Sequence, residues 1–165
     1  MVYPRNNATA AQFDAIFALN ARAPFLLMQG CCALMEAAGT RGSVVNIGSV
    51  HAHGGMEKLA AYAAAKGALL TMTRNLAFAK RRHGIRANYI ALGWTATPAE
   101  HACMAQEHPL GAEGWLQVAD ASHPLGRIYR PSDVASLVTF LMSDDAQMLT
   151  ADCIDLHEKF FGTWE

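Results

Sequence analysis

Tyr62 and Lys66 lie four residues apart, a spacing that puts both side chains on one face of a helix. An ammonium one turn from a phenol favours the phenolate form, which makes such a tyrosine a usable proton donor or acceptor near neutral pH. The same pair is also common as an ordinary surface contact, so its surroundings decide between the two readings. Ser49 precedes Tyr62 by thirteen residues, and from a strand end its hydroxyl could hydrogen-bond the substrate oxygen on which Tyr62 acts. Asn20 adds a backbone group: Pro24 has no N–H to give the Asn20 carbonyl, and a water held there would connect Lys66 to solvent.

Those residues need elements to carry them. Thr9-Ala-Ala-Gln12 is a capping box, so a helix should begin at about residue 10. Phe13, Ile16, Phe17, Leu26, Leu27, Leu34 and Met35 extend its apolar stripe to Gly39, with a kink expected at Pro24. Ser43 to Ile47 reads as a strand buried on both faces, followed by a glycine-bearing loop from Gly48 to Gly55. A helix over about 60–82 ends in Lys80-Arg81-Arg82 before Gly84, as helix C-termini prefer. Ile85 to Ala91 is a second buried strand. Residues 97 to 123 carry His, Pro, Gly and Trp without steady periodicity and read as a loop with short helices able to cover a site. Val134, Leu137, Val138 and Leu141 mark a helix after Pro131, and Cys153 to Leu156 is a last strand. This alternation is the α/β pattern of a parallel sheet, which gathers ligands at its C-terminal strand ends. Ser49 and Gly93 both fall at that edge.

The chain has 165 residues, 17.8 kDa, 52% hydrophobic and 16% charged, the profile of one folded domain rather than a disordered segment. Its formal charge of −1 supplies no net basic field, which argues against nucleic acid as a partner. Lys80-Arg-Arg-His-Gly-Ile-Arg86 is explained by its place at a helix end. No run approaches the roughly 18 unbroken apolar residues of a membrane span, and the first residues lack a signal-peptide layout. The expectation is a cytoplasmic protein without a membrane partner. Cys31, Cys32, Cys103 and Cys153 show no zinc-like spacing and are expected to be free, buried thiols. His51-Ala-His53 could share a metal only with a converging third ligand, and the sequence fixes none, so no metal is expected; His101, His108 and His123 read as substrate-loop or solvent-facing.

Asn20 in ALNARAPF, Ser49 in VVNIGS, Tyr62 and Lys66 in YAAAK, the segment GIRANYIALGWTATP and the run HPLGRIYRPSDVASLVTFLMSDDAQMLTADCIDL occur in one order. Together they resemble the short-chain dehydrogenase/reductase family over about residues 9 to 156. The resemblance implies an NAD- or NADP-dependent enzyme interconverting a secondary alcohol and a ketone. Tyr62 would be the acid/base and Ser49 would orient and polarise the reacting oxygen. Lys66 would hold the nicotinamide ribose and tune Tyr62, and Asn20 would complete a water-borne proton relay. Gly93, Trp94, Thr95 and Thr97 would pack beside the nicotinamide. The long helices at about 10–38 and 60–82 would pair copies into a homodimer or homotetramer.

The sequence also departs from that family. None of its 13 glycines are spaced by two, so the glycine-rich turn that approaches a dinucleotide pyrophosphate is absent from it. The expectation is a single, incomplete Rossmann-like domain over residues 1–165: an N-terminally truncated member supplying about three strands of a doubly wound sheet with their helices. The strand at 43–47 then becomes an exposed apolar edge, and the chain alone should bind nicotinamide cofactor weakly. Leu92 stands where the family usually has proline, and HEKFFGTWE replaces a glycine-rich ending. The alternative function is a catalytically silent fragment serving at most as a self-association module.

Overall fold

The computed structural model describes residues 8–54 and 58–158, apart from the side chains of residues 107, 112 and 113. The far end of the Gly48 to Gly55 loop and most of HEKFFGTWE lie outside the described residues. Helix α1, Ala10–Phe17, starts on the expected capping box: Thr9 Oγ1 accepts from Gln12 N, and Gln12 Oε1 accepts from Thr9 N. The interruption expected at Pro24 takes another form. A π turn, Ala18–Arg22, joins α1 to α2, Ala23–Ala37, with Ala23 N–H donating to the Ala18 carbonyl. Pro24 sits in the first turn of α2, where a missing N–H is tolerated.

Three parallel strands follow in the order β1-β2-β3: β1 is Gly42–Ile47, β2 is Ile85–Leu92 and β3 is Cys153–Leu156. Val44 pairs with Ala87 and Ile90 with Ile154. As β1 is an edge of this sheet, its residues are half-buried, with Ile47 exposed, and not covered on both faces. Helix α3, Ala60–Lys80, covers one face, where Met28, Leu69, Leu70, Tyr89 and Ala91 form the core. Helix α6, Pro131–Met142, lies on the other with Ile90, Leu141, Val45 and Leu92. Side-chain alternation along β2 sends Tyr89 and Ala91 to the α3 face and Ile90 to the α6 face.

Residues 97 to 123, read from the sequence as a loop with short helices, are mostly helical. They form two regular helices, α4 at Pro98–Glu107 and α5 at Gly111–Ser122. Thr97 caps α4 and Pro98 opens it, while Trp115, Ala119 and Ile128 make a separate core beneath them. The single buried stripe on Trp115 and Ala119 is too short to show as periodicity among the His, Pro and Gly residues around it. The basic run is used internally: Lys80 pairs with Glu36 at 2.6 Å, and Arg86 donates to the carbonyls of Leu149 and Ser143. All four cysteines are free, but only Cys32 is buried; Cys31 and Cys103 are exposed and Cys153 is half-buried, which corrects the expectation of buried thiols. The continuous helix Ala10–Ala37 is long and apolar enough to cross a membrane by length and composition alone. It carries Asp14, Arg22 and Glu36, and packs along α3.

Candidate active site

The C-terminal ends of β1 and β2 bring Ser49 and Gly93 side by side. Gly48 N–H donates to the Ile90 carbonyl and Gly93 N–H to the Leu156 carbonyl, which fixes both chain exits onto the sheet. Ser49 is buried and starts a 3₁₀ turn, Val50–His53, its hydroxyl oxygen accepting from His51 N. Tyr62 lies in the first turn of α3, with the His51 ring edge-on at 6.5 Å between centroids. Ser49, His51, Tyr62, Gly93, Trp94 and Thr95 line one cavity of about 610 Å³, together with Glu100 and Glu158.

Lys66 sits one turn beyond Tyr62, its Nζ 5.6 Å from the Tyr62 ring centroid and donating to the Ile47 carbonyl at 3.2 Å. Partial burial pushes its pKa below the ordinary lysine value. Asn20 occupies the π turn, which packs on α3; its side chain donates back to the Ile16 carbonyl and is not among the groups lining the cavity. Thr97 lies in a neighbouring cleft of about 370 Å³ with Ile47, Pro131, Val134 and Val138, and Thr95 and Leu92 line both spaces. Thr95 Oγ1 donates to the Gly93 carbonyl, and Trp94 Nε1 donates to Glu100 at 2.6 Å.

Tyr89 was not singled out in the sequence, where it is one more apolar-run residue of a strand. It is fully buried, and its hydroxyl oxygen accepts from Ser49 N–H at 2.9 Å. Its own hydrogen reaches the carbonyl of either Ser49 at 3.4 Å or Lys66 at 3.3 Å. One oxygen therefore ties the loop bearing Ser49 to the helix bearing Tyr62 and Lys66. Burial pushes the Tyr89 phenol well above its ordinary pKa, so it remains a neutral fixed post. Gly48 is what admits the ring: a Cβ there would fall 1.7 Å from Tyr89 Cζ. Gly93 is similarly crowded by His157 Cβ at 2.9 Å and Glu158 Oε2 at 3.1 Å.

The loop histidines bond within their own neighbourhoods. His101 Nδ1 accepts from Trp115, His108 Nδ1 from Leu110 N, and His123 Nδ1 from Leu125 N. The structure instead brings His53 beside Cys153 and Asp155, a juxtaposition across 100 residues that spacing could not reveal.

Comparison with known proteins yields a consistent set of relatives. A family model described as Enoyl-(Acyl carrier protein) reductase matches residues 4–156. Levodione reductase of Leifsonia aquatica is 36% identical over 157 residues, covering 93% of this chain and 57% of that protein. The (3R)-3-hydroxyacyl-CoA dehydrogenase of Mus musculus is 32% identical over 149 residues, covering 90% of this chain and 54% of its own. The crystal structure of levodione reductase superposes with a TM-score of 0.79 at 34% identity, over 94% of this chain and 60% of that one. A 4-hydroxyisoleucine dehydrogenase complexed with NADH, 24% identical, shares the fold with a TM-score of 0.80 over 94% of this chain and 62% of its own. The chain thus spans a little over half the length of these two curated relatives.

Proposed function

The chain belongs to the short-chain dehydrogenase/reductase family, and from that premise we propose that its cavity serves the NAD(P)-dependent interconversion of a secondary alcohol and a ketone. The observation that carries this reading is the convergence of Ser49 and Tyr62 on one cavity, with Lys66 a turn behind. A nicotinamide held beside that cavity would supply or accept the hydride.

The residues present fit the nicotinamide end of such a cofactor. The cleft joined to the cavity through Thr95 is walled by Ile47, Leu92, Val134 and Val138, apolar surfaces suited to a flat uncharged ring. Thr95 and Thr97 offer hydroxyls for a carboxamide, and Gly93, with no room for a side chain, keeps the chain exit from β2 narrow. Tyr62 holds the proton that goes to the carbonyl oxygen in reduction or comes from the alcohol in oxidation. Ser49 donates a hydrogen bond to that oxygen. Lys66 sets a positive charge near the phenol and is placed for ribose hydroxyls, while the Asn20 carbonyl, which Pro24 cannot bond, holds a water that returns protons to solvent. The mixed lining of Leu59, Trp94, Glu100 and Glu158 suits an apolar substrate with a polar substituent.

Ser49→Ala tests the assignment. Formation of reduced nicotinamide from secondary alcohols, followed by absorbance, should fall by about 10²-fold or more; activity equal to the parent protein would remove Ser49 from the site.

The outer side of the long helices supports a homodimer or homotetramer. Leu19, Leu26, Leu27 and Leu34 recur at intervals of seven and eight and are each more than half exposed, with Phe78 of α3 also open. Such a patch favours burial against a second copy. Sedimentation analysis should give a dimer or larger that Leu26→Glu with Leu34→Glu dissociates, and a monomeric parent protein would reject this pairing.

A further inference from the structure

His53 and β3 form a second cluster of reactive groups, separate from the chemistry assigned to Ser49 and Tyr62. Strand alternation places Cys153 and Asp155 on the same side of β3, and the 3₁₀ turn after Ser49 delivers His53 to them. Cys153 Sγ lies 3.9 Å from His53 Nε2 and 4.0 Å from Asp155 Oδ1, and His53 Nε2 lies 3.7 Å from Asp155 Oδ1. Among the described residues, these three donors all lie within 4.8 Å of one another.

We propose that His53 Nε2, Cys153 Sγ and one Asp155 carboxylate oxygen bind a single zinc-class divalent ion that fastens the turn following Ser49 to β3. The size of the triangle argues for it. A tetrahedral ion with bonds of about 2.0–2.1 Å to nitrogen, 2.3 Å to sulfur and 2.0–2.2 Å to oxygen spaces its ligands about 3.3–3.6 Å apart. Each edge of the observed triangle need shrink by only a few tenths of an ångström. The 3.7 Å separation of His53 from Asp155 is too long for a direct hydrogen bond, so the carboxylate and imidazole face one another without closing on each other. Their donor chemistry selects the ion. A thiolate with an imidazole favours zinc or its cobalt analogue, whereas magnesium and calcium prefer oxygen ligands alone. The buried His157 Nε2 lies 3.4 Å from Asp155 Oδ1, a second imidazole beside the cluster. Asp155 is half exposed, leaving the fourth position for water.

Binding displaces the thiol proton and draws His53, and with it the capped turn that starts at Ser49, against the end of the sheet. Titration of the full chain with cobalt(II), then zinc(II), tests this. One equivalent of cobalt should bind with a thiolate-to-metal charge-transfer band that zinc abolishes. Cys153→Ser should lose the band, and His53→Ala should weaken zinc binding by at least tenfold. Because Cys153 packs beside the core, the His53 variant, on an exposed turn, provides the second reading, and Cys31→Ser is the control expected to bind as the parent does. Absence of saturable binding by either ion, or affinities unchanged in both site variants, would overturn the proposal.

Discussion

Replacing Tyr89 by Phe removes a single oxygen from a residue that is fully buried, leaving the ring volume unchanged. No cavity larger than a hydroxyl is created, so the effect isolates the hydrogen bonds. Ser49 N–H loses its 2.9 Å acceptor in a position where Ser49 itself is 6% exposed. An orphaned buried donor costs about 1–3 kcal/mol, and the lost O–H bond to the Ser49 or Lys66 carbonyl adds about 0.5–1.5 kcal/mol. The expected destabilisation is about 1.5–4.5 kcal/mol, or roughly 3–18 °C in Tm for a chain of this length. Urea unfolding followed by circular dichroism reads the first quantity. Amide exchange at Ser49 reads the local one, because the amide should exchange faster once its acceptor is gone. A change under about 0.5 kcal/mol with unchanged exchange at Ser49 would refute the claim that this phenol holds the site loop to α3.

Further expectations follow from single positions. Gly48→Ala would set a methyl 1.7 Å from Tyr89 Cζ and should cost at least about 1–3 kcal/mol while breaking the Tyr89 to Ser49 contact; a parent-like melt would contradict it. Ala151 is held at φ 67°, where a Cβ is strained, and its N–H bonds the Ala87 carbonyl. Ala151→Gly should therefore raise stability by about 0.5–1 kcal/mol in thermal melts, and a lowered Tm would count against this. Burial lowers the Lys66 pKa in the folded chain below its ordinary 10.5. Between those two values the unfolded chain binds more protons, so this group makes stability rise with pH there, and below the folded value its penalty is constant. Lys66→Met should flatten that alkaline rise in pH-dependent unfolding; an unchanged slope would show that Lys66 is not its source.

Much of this architecture is written locally in the chain. The Thr9 to Gln12 capping box, the β-branched run at Ser43 to Ile47 and the cationic end of α3 each depend on neighbours within a few residues, and each element begins or ends within about two residues of the place expected. Ser49 and Gly93 fall at strand ends for the same reason, so a parallel sheet alone brings them together. What escaped sequence reasoning depends on distant partners. Helices α4 and α5 are held by Trp115 packing near Ile128, a contact that no periodicity announces. The break near Pro24 became a π turn upstream because the continuous helix could place proline in the first turn of α2. Tyr89 looked like one more residue of an apolar strand, and its role depends on the empty space at Gly48. The His53, Cys153 and Asp155 cluster joins residues on different elements, so neither the His51-Ala-His53 pair nor the isolated cysteine carried its signal.

The proton-shuttle role of Tyr62 is tested most directly by Tyr62→Phe in a chain completed with the glycine-rich turn that this sequence lacks, with hydride transfer and nicotinamide-cofactor affinity measured on the same preparations. Turnover should fall by about 10²–10⁴-fold while cofactor affinity stays nearly that of the parent. Turnover equal to that of the parent protein would contradict the account.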